Sequence, residues 1–172
     1  MDNFNIQKDY NILALDFDDC LIPWAQTLYY SHENEKEFIF DKTCENFKLI
    51  KNYCEKLEDK KLKIFITSSW SKFIIKKENE FKFLFDDLFH QDLWNNCIYP
   101  NIKNYLIGYD VYNNRANAIF NLRIKTNGYI FIFDDAEFNY PKDDSKIKFY
   151  LTINGSNLEE KLQEIERILQ NE

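Results

Sequence analysis

Along this chain, short apolar runs that stop abruptly at acids or hydroxyls alternate with longer stretches of helical spacing. Ile12-Leu13-Ala14-Leu15 is continuously apolar and ends at Asp16, the pattern of a strand buried on both faces of a helix-covered parallel sheet. Lys63-Ile64-Phe65-Ile66 ends in the same way at Thr67-Ser68-Ser69, and Tyr129 to Phe133 ends at Asp134-Asp135. Between the first two runs, Asp41 is placed to cap a helix reaching about Lys60, with Cys44, Phe47, Ile50, Cys54 and Leu57 on its core face. Tyr105 to Tyr109 reads as a short strand, Arg115 to Leu122 as a helix and Ile147 to Ile153 as a last strand. Ser156 and Glu159 form a capping box, opening a helix whose Leu158, Leu162, Ile165, Ile168 and Leu169 make one apolar stripe. The alternation predicts an α/β fold, a Rossmann-like parallel sheet with helices on both faces.

Two stretches break this regularity. Thr27 to Tyr30 and Glu37 to Phe40 are aromatic-containing runs around the polar segment Ser31 to Lys36, which predicts a hairpin flap with His32 near its tip, although the turn lacks Gly. Trp70 to Asn104 predicts one or two helices, but Phe81, Phe83, Phe85 and Phe89 fit neither the helical nor the strand period well.

At 172 residues and 45% hydrophobic, the chain is long enough for one sizeable core and short for two, so a single domain over 1–172 is expected. The net charge of -7 opposes broad nucleic-acid binding, while Lys72, Lys76 and Lys77 form a local cluster able to hold a phosphorylated end, a charge run that is more commonly a solvated face. Cys20, Cys44, Cys54 and Cys97 contain no CxxC pair, and His32 and His90 do not sit near them at metal-finger spacing, which argues against a zinc site. Cys20, Cys44 and Cys54 are expected as small packed residues. No apolar run reaches the roughly 18 residues of a spanning helix and no export signal is present, so a cytoplasmic location and no membrane partner are expected.

In an open parallel sheet, strand ends of one sense share an edge, so Asp16, Asp18, Thr67, Asp134 and Asp135 are candidates to converge. Taken singly, each is more commonly a turn residue or a cap. Together, carboxylates at one point repel one another unless a cation neutralises them, and oxygen-only ligands suit Mg²⁺ better than zinc. Arg115 is a candidate to offset the charge of a phosphoryl group, although on a helix by itself it is more often a surface charge.

Four segments in order, Leu13-Ala14-Leu15-Asp16-Phe17-Asp18-Asp19-Cys20-Leu21, Ile64-Phe65-Ile66-Thr67, Arg115-Ala116-Asn117-Ala118-Ile119 and Ile132-Phe133-Asp134-Asp135, resemble the four motifs of the haloacid dehalogenase superfamily of phosphatases, in its small-cap or capless form. The resemblance implies a Mg²⁺-dependent phosphomonoester hydrolase. In it Asp16 attacks phosphorus to form an aspartyl-phosphate, and Asp18 protonates the leaving group and then activates water. It further implies that Thr67, Ser68 and Arg115 hold the phosphoryl group, and that Asp16, Asp18 through its backbone carbonyl, Asp134 and Asp135 hold the metal. The chain departs from the family's common pattern at Asp19, often Gly, at Cys20, usually Thr, and at Arg115, usually Lys. The interval from Cys20 to Thr67 has no room for a large cap domain, so a nucleotide, a nucleic-acid end, a phosphoprotein or a small metabolite are all admissible substrates. The alternative is a binding or regulatory protein that keeps the fold and has weak turnover or none. A phospho-acceptor receiver ranks last, for want of a suitably placed Lys after the final strand.

Overall fold

The apolar run at the N-terminus forms the central strand of the protein, in a computed structural model that describes residues 4–24 and 32–172. Strand β1 (Asn11–Leu15) pairs in parallel with β2 (Leu62–Ile66) on one side and with β6 (Ile130–Asp134) on the other. The flanks are β5 (Leu106–Tyr109) and β7 (Ile147–Leu151), giving a five-stranded parallel sheet in the order β5-β2-β1-β6-β7.

The two-residue period of β1 divides the core. Leu13 and Leu15 face a layer made with α1 (His32–Lys56) and α5 (Leu158–Gln170), while Ile12 and Ala14 face Ala118, Ile119 and Leu122 of α4 (Arg115–Lys125). Helices thus cover both faces, as the continuous apolar strands require. The expected α/β architecture is the one found.

Three local expectations are overturned. Glu37 to Phe40 is not the second strand of a hairpin; it lies within α1, which begins at His32, nine residues before the expected cap at Asp41. A Glu- and Lys-rich stretch without Gly or Pro has good helix propensity, and Ile39, about two turns into the helix, reaches the core. The other half of that hairpin, Thr27 to Tyr30, and the side chain of His32 lie outside the described residues. The capping box also does not form: Asn157 is the N-cap of α5 in a left-handed conformation (φ 52°), and Ser156 Oγ accepts from the Ile153 N–H at 3.3 Å. Lys161 fixes this corner by donating to the Leu151 and Ser156 carbonyls, each at 2.7 Å.

The third correction concerns residues 70–104. The expected helices are present but fill only the second half of the stretch; before them a 3-10 turn (Ser69–Phe73) leads into an unexpected antiparallel hairpin, β3 (Ile74–Lys77) and β4 (Glu80–Phe83). Its turn uses Glu78 at φ 58°, so the sequence carries no Gly to signal it. There follow α2 (Leu88–Asp92), a π-helical turn (Leu93–Ile98) and α3 (Tyr99–Ile102). Cys97 in the π-helical turn is disulfide-bonded to Cys44 of α1, so Cys44 is a cross-link rather than only a packed residue. Disulfides are rare in the cytosol, so this bond lends no support to the cytoplasmic expectation. Cys20 and Cys54 are buried thiols, as expected. Among the described residues, no helix is long and apolar enough to cross a membrane.

Candidate active site

The backbone ladder of the sheet runs one residue past the strands and lines up the side chains that follow them. The Asp16 N–H donates to the Phe133 carbonyl at 2.9 Å, the Thr67 N–H to Leu15 at 2.9 Å and the Asp110 N–H to Ile66 at 2.8 Å. Asp110, Thr67, Asp16 and Asp134 therefore stand in a row along the carboxyl edge, all buried. Asp110 was not among the expected site residues, although Leu106 to Asp110 repeats the pattern of a strand running into an acid.

Asp16 and Asp134 of this row, together with the next residue Asp135, each present an oxygen within 4.8 Å of the others. Burial, the neighbouring Asp134 and a hydrogen bond with Asp135 push the Asp16 carboxyl up to about 9, with Arg115 opposing only in part. Burial raises Asp134 as well, despite the Ala136 N–H and Arg115. A carboxyl so placed is protonated at neutral pH unless a cation joins it. The donor set is oxygen only, which fits Mg²⁺ or another hard cation by ligand type.

Arg115 is the first residue of α4, whose N-cap is Asn114, its side-chain oxygen accepting from the Asn117 N–H at 3.1 Å. From there its guanidinium reaches Asp134, with Nη1 donating to both carboxylate oxygens at 2.5 and 2.6 Å. Arg115 thus already acts as counterion inside the acid cluster.

The remaining expected residues separate. Thr67 presents a buried hydroxyl with no hydrogen-bond partner among the described residues, whereas the Ser68 hydroxyl accepts from the Trp70 N–H at 3.2 Å and caps the 3-10 turn. Asp18 does not join the carboxylate triad. Its Oδ1 accepts from the indole N–H groups of Trp24 and Trp70, each at 2.8 Å, and its Oδ2 lies 3.4 Å from Ser69 Oγ. Neither tryptophan was singled out from the sequence, because a Trp in an aperiodic stretch reads as core. Cys20 is buried, and burial with the nearby Asp16, Asp134 and Asp135 raises its thiol well above the ordinary value, keeping it protonated. Its loop is held in place by the Asn154 and Gly155 N–H groups, which donate to the Asp19 and Cys20 carbonyls at 2.7 and 2.6 Å.

Beyond Asp18 opens a cavity of about 230 Å³, lined by Asp18, Ser69, Trp70, Lys72, Phe73, Phe83, Phe85 and His90. Lys72 belongs to this wall, but Lys76 lies over the Phe4 and Phe81 rings, so the expected lysine cluster does not converge. No family model matches this chain, and comparisons with curated proteins and with solved structures also find no match.

Proposed function

We propose that the protein is a Mg²⁺-dependent phosphomonoester hydrolase working through Asp16. The observation that carries this reading is the convergence of Asp16, Asp134 and Asp135 at the ends of adjacent strands, where burial makes Asp16 and Asp134 costly to ionise without a cation. Asp16, Asp134 and Asp135 would hold the ion, which neutralises charge around a phosphoryl group when bound. The ordered likeness of the four sequence motifs to the haloacid dehalogenase superfamily supports the same assignment.

In the proposed reaction, an Asp16 oxygen forms a bond to phosphorus as the bond from phosphorus to the ester oxygen breaks. The departing electron pair stays on the ester oxygen, which takes a proton from Asp18. Trp24 and Trp70 fix Oδ1 of Asp18, leaving Oδ2 to carry that proton. Water then attacks the aspartyl-phosphate, returning a proton to Asp18, releasing phosphate and restoring Asp16. Thr67 offers its unpartnered hydroxyl to a phosphoryl oxygen, and Arg115 offsets charge there.

The test is hydrolysis of a generic aryl phosphate by purified protein with and without Mg²⁺, with Asp16→Asn as the blank. Turnover that requires the metal and is lost in the variant is expected. No turnover, or turnover that Asp16→Asn leaves unchanged, overturns the proposal and favours a binding or regulatory protein.

A further inference from the structure

Resting on the reading of the acid cluster as a phosphoryl-transfer site, we propose that the cavity beside Asp18 receives the substrate's leaving group, and that this group carries a planar aromatic ring. An acid that protonates an ester oxygen must lie within hydrogen-bond reach of it. The group attached to that oxygen must therefore start at Asp18. Asp18 is itself part of the cavity wall, so the space into which the leaving group continues is the one described above.

The chemistry of that wall selects the ligand. Apart from Asp18, Ser69, Lys72 and His90, the described lining is made of rings. Trp70 stacks on Phe83 with centroids 4.6 Å apart, and Phe73 meets Phe85 at 4.4 Å. Phe73 and Phe85 are only partly buried, so the wall presents ring surface to the cavity instead of closing over it. Such a surface favours a flat π system over an aliphatic chain or a bare sugar. The polar groups present, Ser69 Oγ, the Lys72 ammonium and the His90 ring, suit the heteroatoms of such a ring.

His90 is held in place from behind, its Nδ1 bonded to Asp87, whose carboxylate also caps α2 by accepting from the His90 N–H at 2.9 Å. Its ring packs against Trp24, Trp70 and Phe85 with centroids 5.3, 5.0 and 4.9 Å away. The wall is therefore built of side chains that fix one another, and the residue orienting the proposed acid, Trp70, is also part of the proposed ring pocket. Ring recognition and proton delivery share one side chain.

A nucleobase and a phenyl ring have this chemistry in common, and the experiment separates them. Full-length Asp16→Asn protein with Mg²⁺ is titrated with phenyl phosphate, a nucleoside 5′-monophosphate and glycerol phosphate, following tryptophan fluorescence and calorimetry. At least one ring-bearing ligand is expected to bind at least about 5-fold more tightly than glycerol phosphate, the lower end of what ring stacking supplies. The tighter of the two names the source of the ring. Phe85→Ala, and Phe85→Leu in case the first variant fails to fold, are expected to reduce that preference to about 2-fold or less. Equal binding of all three ligands, no binding, or a preference untouched by both variants overturns the inference. Hydrolysis by the wild type keeps the two readings apart. Equal kcat/KM for phenyl and glycerol phosphates removes the ring pocket and leaves the phosphatase standing; no hydrolysis with ring preference intact does the reverse.

Discussion

The carboxyl edge of the sheet and the aromatic wall next to it are built on opposite principles. At the edge, a regular backbone ladder places Asp16, Thr67 and Asp134 in register, and their positions follow from strand pairing alone. At the wall, the backbone passes through a 3-10 turn, a hairpin and a π-helical turn, and positions are set by rings packing on rings. Chemistry carried by a sheet edge tolerates change elsewhere, whereas a pocket of interlocked rings couples every member to its neighbours.

Asp16→Asn is the sharpest way to divide the two regions. Phosphatase activity should fall by about 10³-fold or more, as for loss of a covalent nucleophile, while ring-ligand binding persists. Cys97→Ser should act on the wall instead. The bond links residues 53 apart, and its loss should cost about 2–4 kcal/mol in urea unfolding, matched by adding reductant to the wild type.

Arg115→Ala tests the edge. It strands the buried Asp134 carboxylate without its partner, and because the arginine side chain is 36% exposed the expected loss is reduced to about 1–3 kcal/mol. Mg²⁺ should recover part of it. The same cluster sets a pH dependence in metal-free protein. The Asp16 carboxyl is raised from 3.8 to about 9 on folding, so the folded state holds a proton that the unfolded state has released between those values. Stability should therefore fall as pH rises from about 4 toward 9, with Mg²⁺ flattening the slope, as read from urea midpoints across pH. Trp70→Phe removes one indole N–H from Asp18 Oδ1 and keeps a ring in the wall. It should lower kcat on a non-aromatic phosphate by about ten-fold, the worth of one hydrogen bond to a charged group, with KM little changed.

The two regions also differ in how far the sequence disclosed them. Ile12 to Leu15 and Ile130 to Phe133 are apolar throughout because both faces of the sheet are covered, and a polar residue after such a run marks the edge. Strand identity, the parallel order of roles and the row of acids were legible for that reason. Asp18 was legible as an acid but not as one whose Oδ1 is held by two indole N–H groups, since Trp24 and Trp70 announce themselves by no spacing. The hairpin was missed because its turn uses Glu78 in place of Gly, and α1 was begun too late because its first turns are polar and only later meet the core. The Cys44 to Cys97 bond joins elements brought together only by tertiary packing.

That bond divides the chain topologically. The covalent ring it closes contains Thr67 and every lining residue of the cavity except Asp18, while Asp16, Asp134 and Asp135 lie outside it. A protease cut in the exposed Lys77 to Glu80 turn would open the ring without releasing a fragment. Such a nicked chain would migrate as one species until reduced, then as two, with Asp16 on one piece and most of the aromatic cavity divided between both.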